Sequence, residues 1–115
     1  WKSTCHHTHN LLADGERFAN LYKTQYLYLM YVWGHGFEFT CEEDWQMMEK
    51  FLQMVTAKND TWYATNIEVV DYLDAAKRLQ YTAAADAVYN PSAQSVWIEV
   101  DGRHIEVPGG QLVKL

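Results

Sequence analysis

Basic residues are scarce in this sequence, and so are glycine and proline. Its 115 residues include 9 lysines and arginines against 15 aspartates and glutamates, which gives a formal charge of −6. A chain without a basic patch has little with which to neutralise phosphates, so we expect neither a nucleic-acid partner nor an anionic membrane surface. The 6 glycines and 2 prolines form no low-complexity tract and no linker.

Cysteines and long apolar runs are also limited. Cys5 and Cys41 could pair or stay free, and they lack the CxxC spacing of zinc or redox sites. The longest apolar stretch, Leu27 to Trp33, falls far short of the roughly 20 residues that a membrane-spanning helix needs. The 49% of hydrophobic residues suffice instead for the core of a domain. Because the chain starts at Trp1 without a signal-peptide pattern, we interpret it as a piece of a longer protein.

The first part of the chain carries a helix signal followed by a strand signal. Asp14 is a suitable N-cap for a helix from Gly15 to Lys23. The run from Gln25 to Trp33 is rich in aromatic and aliphatic residues without strict alternation, which is typical of a strand covered on both faces in a parallel sheet. Gly34-His35-Gly36 ends this strand.

Two capping boxes predict the next helices. Thr40 and Glu43 precede an apolar stripe and predict a helix from Cys41 to Ala57. The string TNIEVVDYLDAAKRLQ contains a second box and predicts a second helix. A short strand, TWYA, is predicted between the two. The order strand, helix, strand, helix predicts an α/β fold with a partial (β/α) barrel-like segment.

The sequence changes character after Tyr81. The string VWIEVDGRHIEV predicts a C-terminal β-hairpin, because Asp101-Gly102 supplies the positive φ values of a type I′ turn. QLVKL adds a last strand. We therefore divide the chain into residues 1–81, the (β/α) segment, and residues 82–115, a β-rich appendage.

His35 is the first candidate for chemistry. It stands at the carboxyl end of the predicted strand, where α/β folds bind their ligands. Its glycine neighbours allow a substrate to approach closely, and imidazole titrates near neutrality, so His35 could act as a general acid or base. The alternative is a structural histidine that hydrogen-bonds a loop carbonyl.

His6, His7 and His9 form a second cluster. On an extended segment, HxH spacing can direct two imidazoles toward a common metal ion. Because no carboxylate is near them in the sequence, we interpret them as surface histidines and assign no metal ligand in this chain. His104 is expected to face solvent across the hairpin.

Four aromatic residues lie at or beside the ends of the two predicted strands. Their rings could stack on sugar rings, and they could equally fill a core. They are Trp33, Phe37, Trp62 and Tyr63.

Several long strings resemble one enzyme family. The run YLYLMYVWGHGFEF, followed by DTWYATNIEVVDYLDAAKRLQYT and VYNPSAQSVWIEVDG, resembles the C-terminal part of bacterial polysaccharide deacetylases, the carbohydrate esterase family 4 or nodulation-type de-N-acetylase group. The likeness covers most of the chain.

The resemblance implies a distorted (β/α) barrel that hydrolyses the N-acetyl group of an amino sugar. A divalent metal such as zinc, held by one Asp and two His, activates water, a carboxylate accepts its proton, and a further His protonates the departing amine. His35 matches that last His. Trp33 stands where the family usually has an aliphatic residue, a departure from its usual acetyl-methyl pocket.

Nothing in the sequence resembles the family's paired aspartates or its HxxxH motif. A full (β/α) barrel typically needs about 200 residues or more, so the resemblance implies that this chain is roughly the second half and is inactive alone. The metal is expected only in the full-length protein. A half barrel would expose an apolar face that includes Leu27, Leu29 and Tyr31, and we expect this face to pair with a second copy.

Two other functions remain open. The chain could be a non-enzymatic carbohydrate-binding or interaction module that uses the strand-end aromatics and the hairpin. It could also be an independent metal-dependent hydrolase that uses the HHTH cluster.

Overall fold

A computed structural model describes residues 2–21 and 26–115. In these two ranges the chain forms three α-helices and several small sheets, and no barrel is closed. The expected mixture of helices and strands is confirmed, whereas the barrel-like arrangement stays a prediction. No helix in these ranges is long and apolar enough to cross a membrane.

The chain divides into two compact units, Trp1–Trp62 and Tyr63–Leu115. The predicted division after residue 81 falls inside the second unit. The first unit contains a pair of very short parallel strands, a 3₁₀ turn and two helices. In chain order these are β1 (Cys5–His6), α1 (Leu11–Ala19), β2 (Val32–Trp33), the 3₁₀ turn (Gly36–Glu38) and α2 (Glu42–Val55).

Helix α1 starts four residues earlier than predicted. Its N-cap is Asn10, whose φ of 54° lies in the left-handed region that asparagine tolerates. The predicted cap, Asp14, lies inside the first turn instead. Leu11 is buried, and a Cβ on Gly15 would lie only 2.8 Å from Cδ2 of Phe51 in α2. Burial of the apolar side of α1 against α2 therefore sets the start of the helix, and the capping signal at Asp14 does not.

The predicted strand from Gln25 to Trp33 is largely wrong. Only β2 forms, residues 26–31 carry no strand, and Leu27 is 75% exposed. Residues 22–25, which include the end of the predicted helix and the first residue of the predicted strand, lie outside the described residues. In the described part of the chain, β2 pairs only with the two-residue β1, so no sheet covers the apolar run.

Helix α2 confirms the second predicted helix, with bounds within two residues of the prediction. Its cap is shifted by one residue, from Thr40 and Glu43 to Cys41 and Asp44. Asp44 Oδ2 accepts hydrogen bonds from the backbone N–H groups of Thr40 (2.9 Å) and Cys41 (3.2 Å). These donors, the Thr40 N–H first, hold the pKa of Asp44 below its ordinary value.

The strand predicted at residues 61–64 is wrong. These residues carry neither helix nor strand. High β propensity makes a strand only where a neighbouring strand supplies backbone hydrogen bonds, and no described strand pairs with this segment. The predicted order of strand, helix, strand, helix therefore loses its second strand.

The second unit joins one helix to five strands, within the part of the chain that the structure describes. In chain order the elements are α3 (Asn66–Lys77), β3 (Gln80–Tyr81), β4 (Ala87–Tyr89), β5 (Val96–Val100), β6 (Arg103–Val107) and β7 (Leu112–Lys114). β4 pairs antiparallel with both β3 and β7, and β5 pairs antiparallel with β6. The predicted last strand is thus confirmed as β7.

The start of α3 and the hairpin turn both confirm the sequence analysis. Glu68 Oε2 accepts hydrogen bonds from the hydroxyl and the backbone N–H of Thr65, both at 2.7 Å, and these bonds lower the pKa of Glu68. Asp101 and Gly102 have φ values of 49° and 74°, as a type I′ turn requires. His104 is exposed in β6.

Asn90 organises the core of the second unit. It is fully buried directly after β4, and its Nδ2 donates to the carbonyl oxygens of Gln94 and Val107, both at 2.8 Å. Its Oδ1 accepts from the backbone N–H (3.0 Å) and the hydroxyl (2.7 Å) of Ser92. One side chain therefore ties the loop before β5 to the end of the hairpin.

Candidate functional site

The candidate site begins with the pairing of β1 and β2, which the sequence analysis did not predict. Hydrogen bonds on both sides extend this two-residue pair. The hydroxyl of Thr4 donates to the carbonyl of Leu29 (2.9 Å) and accepts from the N–H of Tyr31 (2.8 Å). The N–H of His7 donates to the carbonyl of Trp33 (3.0 Å). Because the strands are parallel, the residues that follow each of them lie side by side.

His7 is the buried member of this site. Its side chain is 3% exposed, and its ring stacks between those of Phe39 (centroids 4.5 Å apart) and His6 (4.8 Å apart). The ring occupies the space beside Gly34, where a Cβ would lie 1.9 Å from His7 Cδ2. Gly34 therefore makes room for His7, whereas the sequence analysis assigned that room to a substrate of His35.

Glu38 lies at the centre of the site. Its Oε2 is 3.0 Å from His7 Nε2 and 3.2 Å from His6 Nε2, and it accepts a 2.7 Å hydrogen bond from the N–H of His35. The His35 N–H is the main cause of a lowered pKa for Glu38, and the two neighbouring imidazoles add to it. The sequence neighbours of the HHTH cluster include no such carboxylate, and Glu38 supplies one from 31 residues beyond His7.

His35 lies at the surface, just beyond the carboxyl end of β2. Its ring stacks on Phe37 with centroids 5.1 Å apart and an interplanar angle of 11°. The ring of Trp33 lies 6.2 Å away, edge-on. Phe37 is 79% exposed and Trp33 is 47% exposed, so these residues form an accessible row of rings around an imidazole.

Trp62 and Tyr63 belong to different compact units. Trp62 ends the first unit and Tyr63 begins the second, and each side chain is more than half exposed. The exposure of all four predicted aromatics favours a surface role over a role as core residues. Trp33 and Phe37 are the two that lie beside His35.

The described residues contain one group with the composition of a metal site. The ligand atoms of His6, His7 and Glu38 all lie within 4.8 Å of one another. His9 packs its ring 5.7 Å from that of His6 and is not part of the group. Cys5 and Cys41 are free thiols, and burial together with nearby Asp14 raises the pKa of Cys5.

These features define a mixed helix and strand protein with a histidine-rich surface site at the end of a parallel strand pair. No protein-family model matches the chain, and no curated protein and no solved structure matches it either. The geometry of this site is therefore the basis for a functional proposal.

Proposed function

We propose that this chain is the C-terminal part of a metal-dependent polysaccharide deacetylase that acts on N-acetyl amino sugars. The observation that carries the proposal is the position of His35, exposed just beyond the carboxyl end of a strand and bordered by aromatic rings. In this role His35 protonates the amine that leaves when the amide bond is cleaved. Trp33 and Phe37 hold the sugar ring by stacking.

The resemblance assigns the metal and the base to segments that are not in this sequence. Metal-activated water is the chemistry that the metal supplies in such enzymes. Residues 1–115 contribute the proton donor and the aromatic platform. Leu27 and Leu29 are both exposed, which supports pairing of this apolar segment with a second copy or with the rest of a barrel.

The first test of this proposal is acetate release from an acetylated chito-oligosaccharide. We expect none from the isolated chain with added Zn²⁺ or Co²⁺, because it lacks the segments that carry the base. A longer protein, encoded by an upstream reading frame with the paired aspartates and HxxxH, should release acetate. Its His35→Ala variant should be slower by about 10²- to 10⁴-fold.

Three results would contradict this expectation. An upstream reading frame that lacks these motifs would show that the chain has no parent enzyme of this kind. A longer protein whose rate of acetate release is unchanged by His35→Ala would show that His35 is not the proton donor. Acetate release by the isolated chain that is lost in both His35→Ala and His7→Ala would instead indicate an independent metal-dependent hydrolase.

The second candidate function is a non-enzymatic carbohydrate-binding module. The exposed rings of Trp33 and Phe37 favour it, because flat aromatic faces at a surface bind sugar rings without any catalytic group. The hairpin offers a separate surface through Trp97, which is 56% exposed.

Calorimetric titration with chitotetraose separates these surfaces. We expect Trp33→Ala and Phe37→Ala each to weaken binding about tenfold, which corresponds to about 1.4 kcal/mol. Trp97→Ala is the matched control and should leave affinity unchanged. A loss of affinity only in Trp97→Ala would show that the sugar binds to the hairpin and not to Trp33 and Phe37. A wild-type chain that binds no sugar would rule out this candidate function.

A further inference from the structure

We propose that His6, His7 and Glu38 bind one divalent transition-metal ion, with Zn²⁺ as the typical occupant. The inference does not depend on the proposed function, because the resemblance assigns the family's metal to other motifs. Two imidazole nitrogens and a carboxylate oxygen converge from segments that β1 and β2 bring together. Two His and one Glu make up a donor set that zinc uses in catalytic sites.

Hydrogen bonding alone does not account for the crowding at Glu38. Its Oε2 receives the N–H of His35 and has two further nitrogens, His6 Nε2 and His7 Nε2, within 3.2 Å. A carboxylate oxygen accepts about two hydrogen bonds, since it has two lone pairs. At most one imidazole can therefore donate to this oxygen together with the backbone N–H of His35. The other imidazole would direct a lone pair at the negatively charged carboxylate, unless a cation lies between the two groups.

The packing of the two imidazoles points the same way. Their rings stack with centroids 4.8 Å apart, and His7 is almost completely buried. Neutral imidazole is the form that binds metals. A cation would then satisfy the lone pairs of both Nε2 atoms and the negative charge of Glu38 together.

The second nitrogen of each ring also matters. His6 Nδ1 is occupied by Thr8, because it lies 2.7 Å from the hydroxyl and accepts a 3.3 Å hydrogen bond from the backbone N–H, so Nε2 is the nitrogen that faces Glu38. His7 Nδ1 is buried and has no hydrogen-bond partner in the described part of the chain. Nε2 is therefore the atom that anchors the His7 ring, and buried polar atoms without partners often mark functional positions.

The same donor set indicates which ions fit. Imidazole favours Zn²⁺, Co²⁺, Ni²⁺ and Cu²⁺, whereas Mg²⁺ and Ca²⁺ prefer sites built from oxygen. Three protein ligands leave a position for water, and His6 and Glu38 are partly open to solvent. Because Glu38 also holds the backbone N–H of His35, a bound ion would fix the turn that carries His35.

Metal binding to the full chain, without an affinity tag and stripped by chelator, tests the proposal. We expect calorimetry to give one Zn²⁺ per chain, and Co²⁺ to give visible absorption bands that Zn²⁺ abolishes. His6→Ala, His7→Ala and Glu38→Gln each remove a ligand atom, so each should weaken Zn²⁺ binding by about a hundredfold or more, the upper end of what loss of a residue behind a ligand costs. His9→Ala and His104→Ala are the matched controls and should bind as the wild type does.

Circular dichroism of each variant shows whether it is folded, and Glu38→Gln keeps the size of the side chain if His7→Ala fails to fold. Zn²⁺ binding that survives all three ligand variants, or that disappears in His9→Ala, overturns the site. A folded wild-type chain that binds no Zn²⁺ overturns it as well. The metal-binding measurement uses no sugar, so a negative result would overturn the metal site without contradicting the deacetylase proposal.

Discussion

Gly34→Ala is expected to destabilise the first unit by about 1–3 kcal/mol, the usual cost of overfilling a packed site. The new Cβ would lie 1.9 Å from His7 Cδ2 and 2.7 Å from His7 Nε2. The ring cannot move aside cheaply, because it stacks on Phe39 and its Nε2 contacts Glu38. Thermal unfolding should show a fall in Tm of roughly 4–8 °C for each kcal/mol.

Gly36→Ala is the matched control for this substitution. Gly36 lies two residues away, on the other side of His35, and a Cβ there would meet nothing within 4 Å. The control should therefore unfold at nearly the wild-type temperature. Equal Tm values for the two variants would mean that the ring of His7 does not occupy the space beside Gly34.

A double-mutant cycle makes the cause specific. His7→Ala removes the ring that the new Cβ meets, so adding Gly34→Ala to His7→Ala should cost less than adding it to the wild type. The φ of 158° at Gly34 leaves a backbone cost in both backgrounds. Additive losses would place the whole effect of Gly34→Ala in the backbone. Zn²⁺ titration of Gly34→Ala then reports whether displacement of His7 also disrupts the proposed metal site.

The parts of this fold that could be predicted from the sequence depend on local signals. Thr65 and Glu68 are three residues apart, and together they satisfy the first N–H groups of α3 wherever that helix packs. Asp101 and Gly102 likewise specify a turn with two positive φ values, which aligns β5 with β6. Each signal contains its own hydrogen-bond partner or backbone preference, so no distant residue is needed to interpret it.

The parts that could not be predicted depend on distant partners. The apolar run before Gly34 has the composition of a strand. It forms strand pairing only over the two residues of β2, because its partner β1 is itself only two residues long. Glu38 was not expected beside His7, because the two are 31 residues apart and meet only through the pairing of β1 with β2. His35 is predicted as a site residue from its position after a strand, and that prediction needs only the end of the strand.

The same dependence on a distant partner explains why the prediction of surface histidines in the HHTH cluster is wrong for His7, which is buried. Its sequence neighbours offer no carboxylate, and a metal site with one ligand from a distant segment has no fixed spacing to recognise. Gly34 was the available signal, since a glycine after an apolar strand can mark a close approach of another group. That group is the buried ring of His7.

Asn90→Ala is expected to destabilise the second unit by about 3 kcal/mol or more. Asn90 is fully buried, and the substitution removes its hydrogen bonds to the Val107 carbonyl and the Ser92 N–H, while the Gln94 carbonyl keeps only the Ser92 hydroxyl. Each buried polar group left unpaired costs about 1–3 kcal/mol, and the truncated side chain adds a cavity. Urea unfolding should show the loss, whereas Asn59→Ala, at an exposed turn, should unfold like the wild type.

Asn90→Asp separates lost hydrogen bonds from lost volume, because it keeps the shape and the acceptor oxygen. Its second oxygen would face the carbonyls of Gln94 and Val107, so burial and these dipoles should raise its pKa in the folded state. A raised folded pKa means that stability falls as the pH rises through it, since only the protonated form can donate. Relative to the wild type at each pH, the variant should therefore lose more stability at about pH 8 than at about pH 4. A loss that is equal at both values would indicate that Asn90 acts through packing and not through its donated hydrogen bonds.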